Sequence, residues 1–173
     1  MSKAVLISIQ PKWCELIASG EKTIEVRKSR PKLKTPFKVY IYCTQEKRLL
    51  RKFNKGERID DEHFFNEHVF VRQNTWIRGH FNPNGKVIGE FVCNEILATR
   101  FFDDTQGHGR NHVITRRLCV DSCLSFAEIE AYFGDKDGYF WCISDLVIYD
   151  QPKKLQEFNL GRPPQSWCYA EGV

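Results

Sequence analysis

Gly20-Glu21-Lys22-Thr23-Ile24-Glu25-Val26-Arg27 sets Lys22, Glu25 and Arg27 within six positions, interleaved with Ile24 and Val26. On an extended segment alternate side chains share a face, so Thr23, Glu25 and Arg27 point one way and Ile24 and Val26 the other. Lys22, just leaving its glycine turn, can join either face. Glu25 can accept from an amino or imino group, and Arg27 can hold Glu25 or donate to a carbonyl or phosphate. A desolvated Lys22 beside a carboxylate can also serve general acid–base chemistry. Buried charges need partners, because an unpaired one costs several kcal/mol. Two readings meet that need. Glu25 and Arg27 form an ion pair that fixes register and binds nothing, or the segment is one wall of a polar ligand pocket.

A pocket that reads a base needs aromatic faces, since base stacking contributes about 1–3 kcal/mol and suits every base. Trp13, Tyr40, Tyr42, Trp141 and Trp167 are the candidates, and Trp167 follows a Pro163-Pro164-Gln165-Ser166 loop suited to lining a cleft. Gln165 and Ser166 would add hydrogen bonds, as would Ser8 and Gln10 from ahead of the first helix. The loop carrying Lys28, Arg30, Lys32 and Lys34 either tracks a phosphate backbone or is a solvated connection. His108, His112, Cys119 and Cys123 have metal-site spacings. Residues 113–120, however, read as a strand that would hold the two pairs apart, and both cysteines sit among apolar neighbours. No metal and no cofactor is expected.

The elements that must position these residues are legible in part. The apolar run Ala4–Ile9 predicts a buried strand, and Pro11 opens a helix over 12–19 that Gly20 closes. Strands are expected at 22–27, 37–44, 87–102 and 139–149. A helix is expected at 46–54 from its strong helix formers, and another at 125–133, where Ser125-Phe126-Ala127-Glu128 matches a capping box. The 173 residues, 42% apolar, suit one domain spanning 1–173, with 45–84 its least readable part. A net charge of +4 is too small for a dedicated duplex-DNA binder. With no run of about 18 apolar residues no membrane association is expected. Seven scattered cysteines in a chain with ample core suggest reduced thiols and a cytoplasmic setting.

Ser8-Ile9-Gln10-Pro11, a short helix, and then Gly20-x-Lys22-x-x-Glu25-x-Arg27 together resemble the signature of the ASCH domain, a branch of the PUA-like superfamily. Gly85–Phe91, Tyr139–Asp150 and the closing Arg162-Pro163-Pro164-Gln165-Ser166-Trp167 fit the same pattern, as in compact bacterial and phage-borne members. The resemblance covers nearly the whole chain, least well at 45–84 and 103–118. It implies an α+β fold: a small closed or nearly closed β-barrel with helices capping its ends. It also implies a cleft beside the first helix and the signature strand, and binding of RNA or of a nucleobase or nucleoside, modified ones included. One small ASCH-type enzyme family hydrolyses N4-acetylcytidine with a lysine, a threonine three residues later and a downstream glutamate. Lys22 matches that lysine, Glu25 stands where the threonine would be, and Glu90, with Glu95 behind it, is the candidate glutamate. That departure favours binding over catalysis. An amidohydrolase or ribonuclease using Lys22, Glu25 and Glu90 is the first alternative, and a protein-interaction module the second. Trp141 and Trp167 are the expected aromatic walls. Oligomeric state is not legible.

Overall fold

Every residue of Ala4–Ile9 is buried, which explains an apolar run without polar alternation: both faces of the strand are covered. The computed structural model describes residues 3–45, 49–58, 69–73, 83–104 and 109–171. In chain order these form β1 (Lys3–Ile9), α1 (Pro11–Ala18), β2 (Ile24–Arg27), β3 (Phe37–Cys43), β4 (Leu49–Phe53), β5 (Val69–Gln73), β6 (Lys86–Thr99), β7 (Phe101–Asp104) and β8 (Gly109–His112). There follow α2 (Arg116–Ser122), α3 (Phe126–Phe133), β9 (Gly138–Lys153), a 3-10 turn at Leu155–Phe158, and β10 (Trp167–Glu171).

Six strands make one mixed sheet in the order β10-β1-β3-β6-β9-β2. Only β1 and β3 run parallel, and α1 with β2 supplies the crossover between them. Two small hairpins, β4–β5 and β7–β8, stand apart from this sheet. The two-residue period of β1 splits its side chains between two cores. Val5, Ile7 and Ile9 pack with Val39, Ile41, Phe91, Trp141 and the α1 residues Cys14 and Ile17. Ala4 and Leu6 pack on the opposite side with Tyr40, Tyr42, Leu155 and Phe158. A third cluster joins Ile24 and Val26 to Ile129 and Phe133 of α3 and to Phe140.

The expected closed or nearly closed barrel is met in part, by a six-stranded sheet with a seam. Among the described residues no ladder joins the edge strands β2 and β10, so the hydrogen-bonded sheet does not close. Side chains bridge the seam instead. Arg27 Nη1 donates to Ser166 Oγ (3.3 Å), Trp167 Nε1 to Ser29 Oγ (3.0 Å) and the Lys32 amide to Tyr169 Oη (2.9 Å).

The helix ends follow local chemistry. Pro11 occupies the first turn of α1, and Gly20, at φ +78°, takes the left-handed position just past its end. Ser125 and Glu128 form the expected capping box on α3. Two expectations fail. The stretch expected as a helix at 46–54 holds strand β4 at Leu49–Phe53, paired with β5, because ladder partners override local propensity. The stretch expected as a strand at 113–120 holds the start of α2, whose N-cap Thr115 accepts from the Leu118 amide.

Candidate functional site

Three features bring Lys22, Glu25 and Arg27 together. The turn after α1 is fixed by the Lys22 amide donating to Leu16 O (2.9 Å). Thr23 ties the chain to α2 and β9, its amide donating to Asp121 O and its carbonyl accepting from Ile143 N, both at 2.9 Å. Strand β2 then turns Ile24 and Val26 to the α3 core, which leaves Glu25 and Arg27 facing the other way.

All three ionisable residues are buried, at 2%, 5% and 8% exposure. Arg27 Nη2 lies 2.9 Å from Glu25 Oε1, and Lys22 Nζ 3.5 Å from Glu25 Oε2. Lys22 Nζ also donates to Ser122 O (2.8 Å), and Arg27 Nη2 to Ser8 O (2.6 Å). Arg27 Nε is buried with no hydrogen-bond partner among the described residues. One carboxylate therefore serves two buried cations, and the cluster carries a net charge of +1.

The cluster lines a cavity of about 630 Å³ at the seam between the two sheet edges. Ser8 and Gln10 border it from the β1–α1 junction, and Gln165 and Ser166 from the segment before β10. The Ser8 hydroxyl donates to Pro164 O (2.6 Å), fixing that segment against β1. Trp13 supplies an aromatic wall, its ring centroid 5.1 Å from Lys22 Nζ and 4.3 Å from Lys12 Nζ. Tyr132 of α3 supplies another, with Lys28 Nζ 5.1 Å from its centroid. Each lysine–ring pair is a cation–π contact that covers a face a base could use.

Seven of the ten expected ligand residues thus meet, if Lys22, Glu25 and Arg27 are counted with Ser8, Gln10, Gln165 and Ser166. Thr23 does not join them: it is exposed and outside β2, so the extended alternation that would align it with Glu25 does not reach it. Trp141 is wholly buried, packed edge-on against Phe37, and does not border the cavity. Trp167 is half-buried between Trp141 and Tyr169 and bonds Ser29, so it seals the seam rather than lining the cavity. Tyr40 and Tyr42 lie in the core on the opposite face. Glu90 is not at the site either. It accepts from Lys38 Nζ (2.7 Å) and Tyr149 Oη on strands β3 and β9. Burial pushes its carboxyl up, but the Lys38 and Tyr149 hydrogen bonds with the Lys38 and Lys153 charges hold it below the usual value.

Sequence reasoning missed Tyr132 and Glu128. Both fall off the buried α3 stripe of Ile129 and Phe133, which marks them as non-core, and no local signal directs them to the cavity. Of the zinc candidates, His108 lies outside the described residues. His112 is buried with Nδ1 at Glu130 Oε1 (3.2 Å) and Nε2 at Lys136 O (2.7 Å), so both ring nitrogens are engaged. Among the described residues no group of three or more His, Cys, Asp or Glu is placed to hold a metal. No helix among them is long and apolar enough to cross a membrane.

The family model of the ASCH domain matches residues 7–150, spanning β1 to β9 and thus the whole signature strand. The chain belongs to the ASCH-domain family. Solved structures similar to this ASCH chain include the ASCH protein of Zymomonas mobilis, at TM-score 0.58 and 19% identity over 96% of this chain and 86% of that one. A serine-to-alanine variant of that protein matches at TM-score 0.58, 19% identity, 96% and 87%. A tyrosine-to-phenylalanine variant matches at 0.56, 19%, 97% and 90%. No curated protein matches the sequence. At this identity the likeness concerns the fold. The α+β ASCH architecture of the chain thus rests on both the family match and these structures.

Proposed function

We propose that this ASCH domain binds RNA by holding one nucleobase in the seam cavity. The observation that carries the reading is the buried Glu25, presented by Arg27 and Lys22 beside the Trp13 ring in a cavity of about 630 Å³. That volume falls in the usual range for small-molecule sites, which pair apolar or aromatic walls with a few convergent polar groups. Glu25 accepts from a base amino or imino group, Trp13 or Tyr132 stacks on its face, and Gln10, Gln165 and Ser166 reach its edge. The test is binding of a mixed-sequence single-stranded RNA to the wild-type chain and to Trp13→Ala and Tyr132→Ala. Both rings are at least partly exposed, so the fold should survive their loss. Loss of one stacking face should weaken binding by about 5- to 150-fold, the equivalent of about 1–3 kcal/mol. Unchanged affinity in both variants would place the ligand elsewhere.

The 3.5 Å approach of Lys22 to Glu25 supports a second reading, proton transfer by that pair on a bound nucleoside. Glu90 belongs to a different part of the sheet, so such chemistry would rest on Lys22 and Glu25 alone. Release of cytidine from N4-acetylcytidine, abolished in Lys22→Ala, would establish it. No turnover with enzyme in excess would leave binding as the function.

A further inference from the structure

Among the described residues the charge at the seam cavity does not balance, and the imbalance says something about the ligand. Lys22 and Arg27 share the single carboxylate of Glu25, all three at least nine-tenths buried, and Arg27 Nε has no partner among the described residues. Lys28 adds a second excess cation at the cavity wall. Among the described residues the remaining acid there is Glu128, which is committed elsewhere. It accepts from the Ser125 amide (2.8 Å) and hydroxyl (2.7 Å) at the start of α3, where a negative charge complements the helix terminus.

A neutral nucleoside entering this cavity would displace the water that screens the excess positive charge and put nothing in its place. That raises the cost of the uncompensated cation. A phosphate entering with the base cancels it. Guanidinium and ammonium groups are suited to phosphate, and Lys28 can leave the face of Tyr132 to reach one.

Resting on the base-binding reading above, we infer that the ligand is a phosphate-bearing nucleotide rather than a neutral nucleoside. Its base lies toward Trp13 and Glu25, and its phosphate lies toward Arg27 and Lys28. A free mononucleotide and a nucleotide within RNA present the same chemistry.

Calorimetric titration of the full chain with the four ribonucleosides, their 3′- and 5′-monophosphates, inorganic phosphate, and a short single-stranded RNA tests this. At least one monophosphate should bind about tenfold or more tightly than its nucleoside, and more tightly than inorganic phosphate. Lys28→Gln, at an exposed position, should shrink that ratio. If the RNA binds more tightly than any monophosphate, the phosphate belongs to a strand; the reverse order assigns it to a free nucleotide, and both orders support the inference. Equal affinity for nucleoside and monophosphate overturns it and leaves base binding standing. Inorganic phosphate binding as tightly as the monophosphates overturns base binding instead. No binding by any of these probes overturns both.

Discussion

Glu25 is the residue on which the site depends, because among the described residues it is the sole carboxylate paired with Lys22 and Arg27 in the buried cluster. Removing one partner from a buried ionic group leaves the other charges uncompensated, at about 3–5 kcal/mol. Glu25→Gln keeps the shape and removes the charge, so urea unfolding should show a loss of that order. A loss below about 1 kcal/mol would mean that solvent reaches the cluster. The spacing of Lys22, Glu25 and Arg27 was legible in sequence because alternation on a strand leaves few options for side-chain direction. The aromatic walls were not. Trp167 follows a polar loop, yet its indole turns toward Trp141 and Ser29, while Tyr132 reaches the cavity from a helix more than a hundred residues away from the signature. Such placements depend on which elements pack together, and no local pattern encodes that.

Strand edges explain why the cavity lies where it does. Between β2 and β10 a ladder is replaced by three side-chain bridges among the described residues, and the Arg27–Ser166 bridge joins two residues that line the cavity. Arg27→Leu should therefore raise amide hydrogen exchange at Ser8 and through residues 164–171 more than in β3. Uniform change across the sheet would contradict this latch role. Gly89 tests the sheet itself, since a Cβ there would meet Val147 O at 2.4 Å where β6 and β9 shift register. A backbone atom yields little, so Gly89→Ala should cost about 1–3 kcal/mol in denaturant unfolding. Elements with strong local signals were readable: the capping box of α3, the Gly20 stop and the long strands β3 and β9. Strand β4 was not, because Leu49-Leu50-Arg51-Lys52 is a good helix sequence and only its partner β5 makes it a strand. Open edges were also not legible, since closure depends on pairing between chain ends.

At the scale of the whole molecule, acid should act partly through a group remote from the cavity. Glu90 titrates below the ordinary carboxylate value of 4.5 in the native state, held by Lys38 and Tyr149. Its contribution is fully present above that value and is lost as pH falls through the lower native one. Stability should thus fall on acidification below about 4.5, and Glu90→Gln should flatten the fall; an unchanged acid slope would show that Lys38 does not hold Glu90 in solution. Binding of RNA should weaken with salt, modestly, given a net charge of only +4. The central claim is that a base enters beside Trp13 and Glu25, and indole N–H spectroscopy by NMR during an RNA titration tests it most directly. The Trp13 indole resonance should shift on saturation while that of the wholly buried Trp141 stays in place. RNA that binds without moving the Trp13 signal would contradict the account.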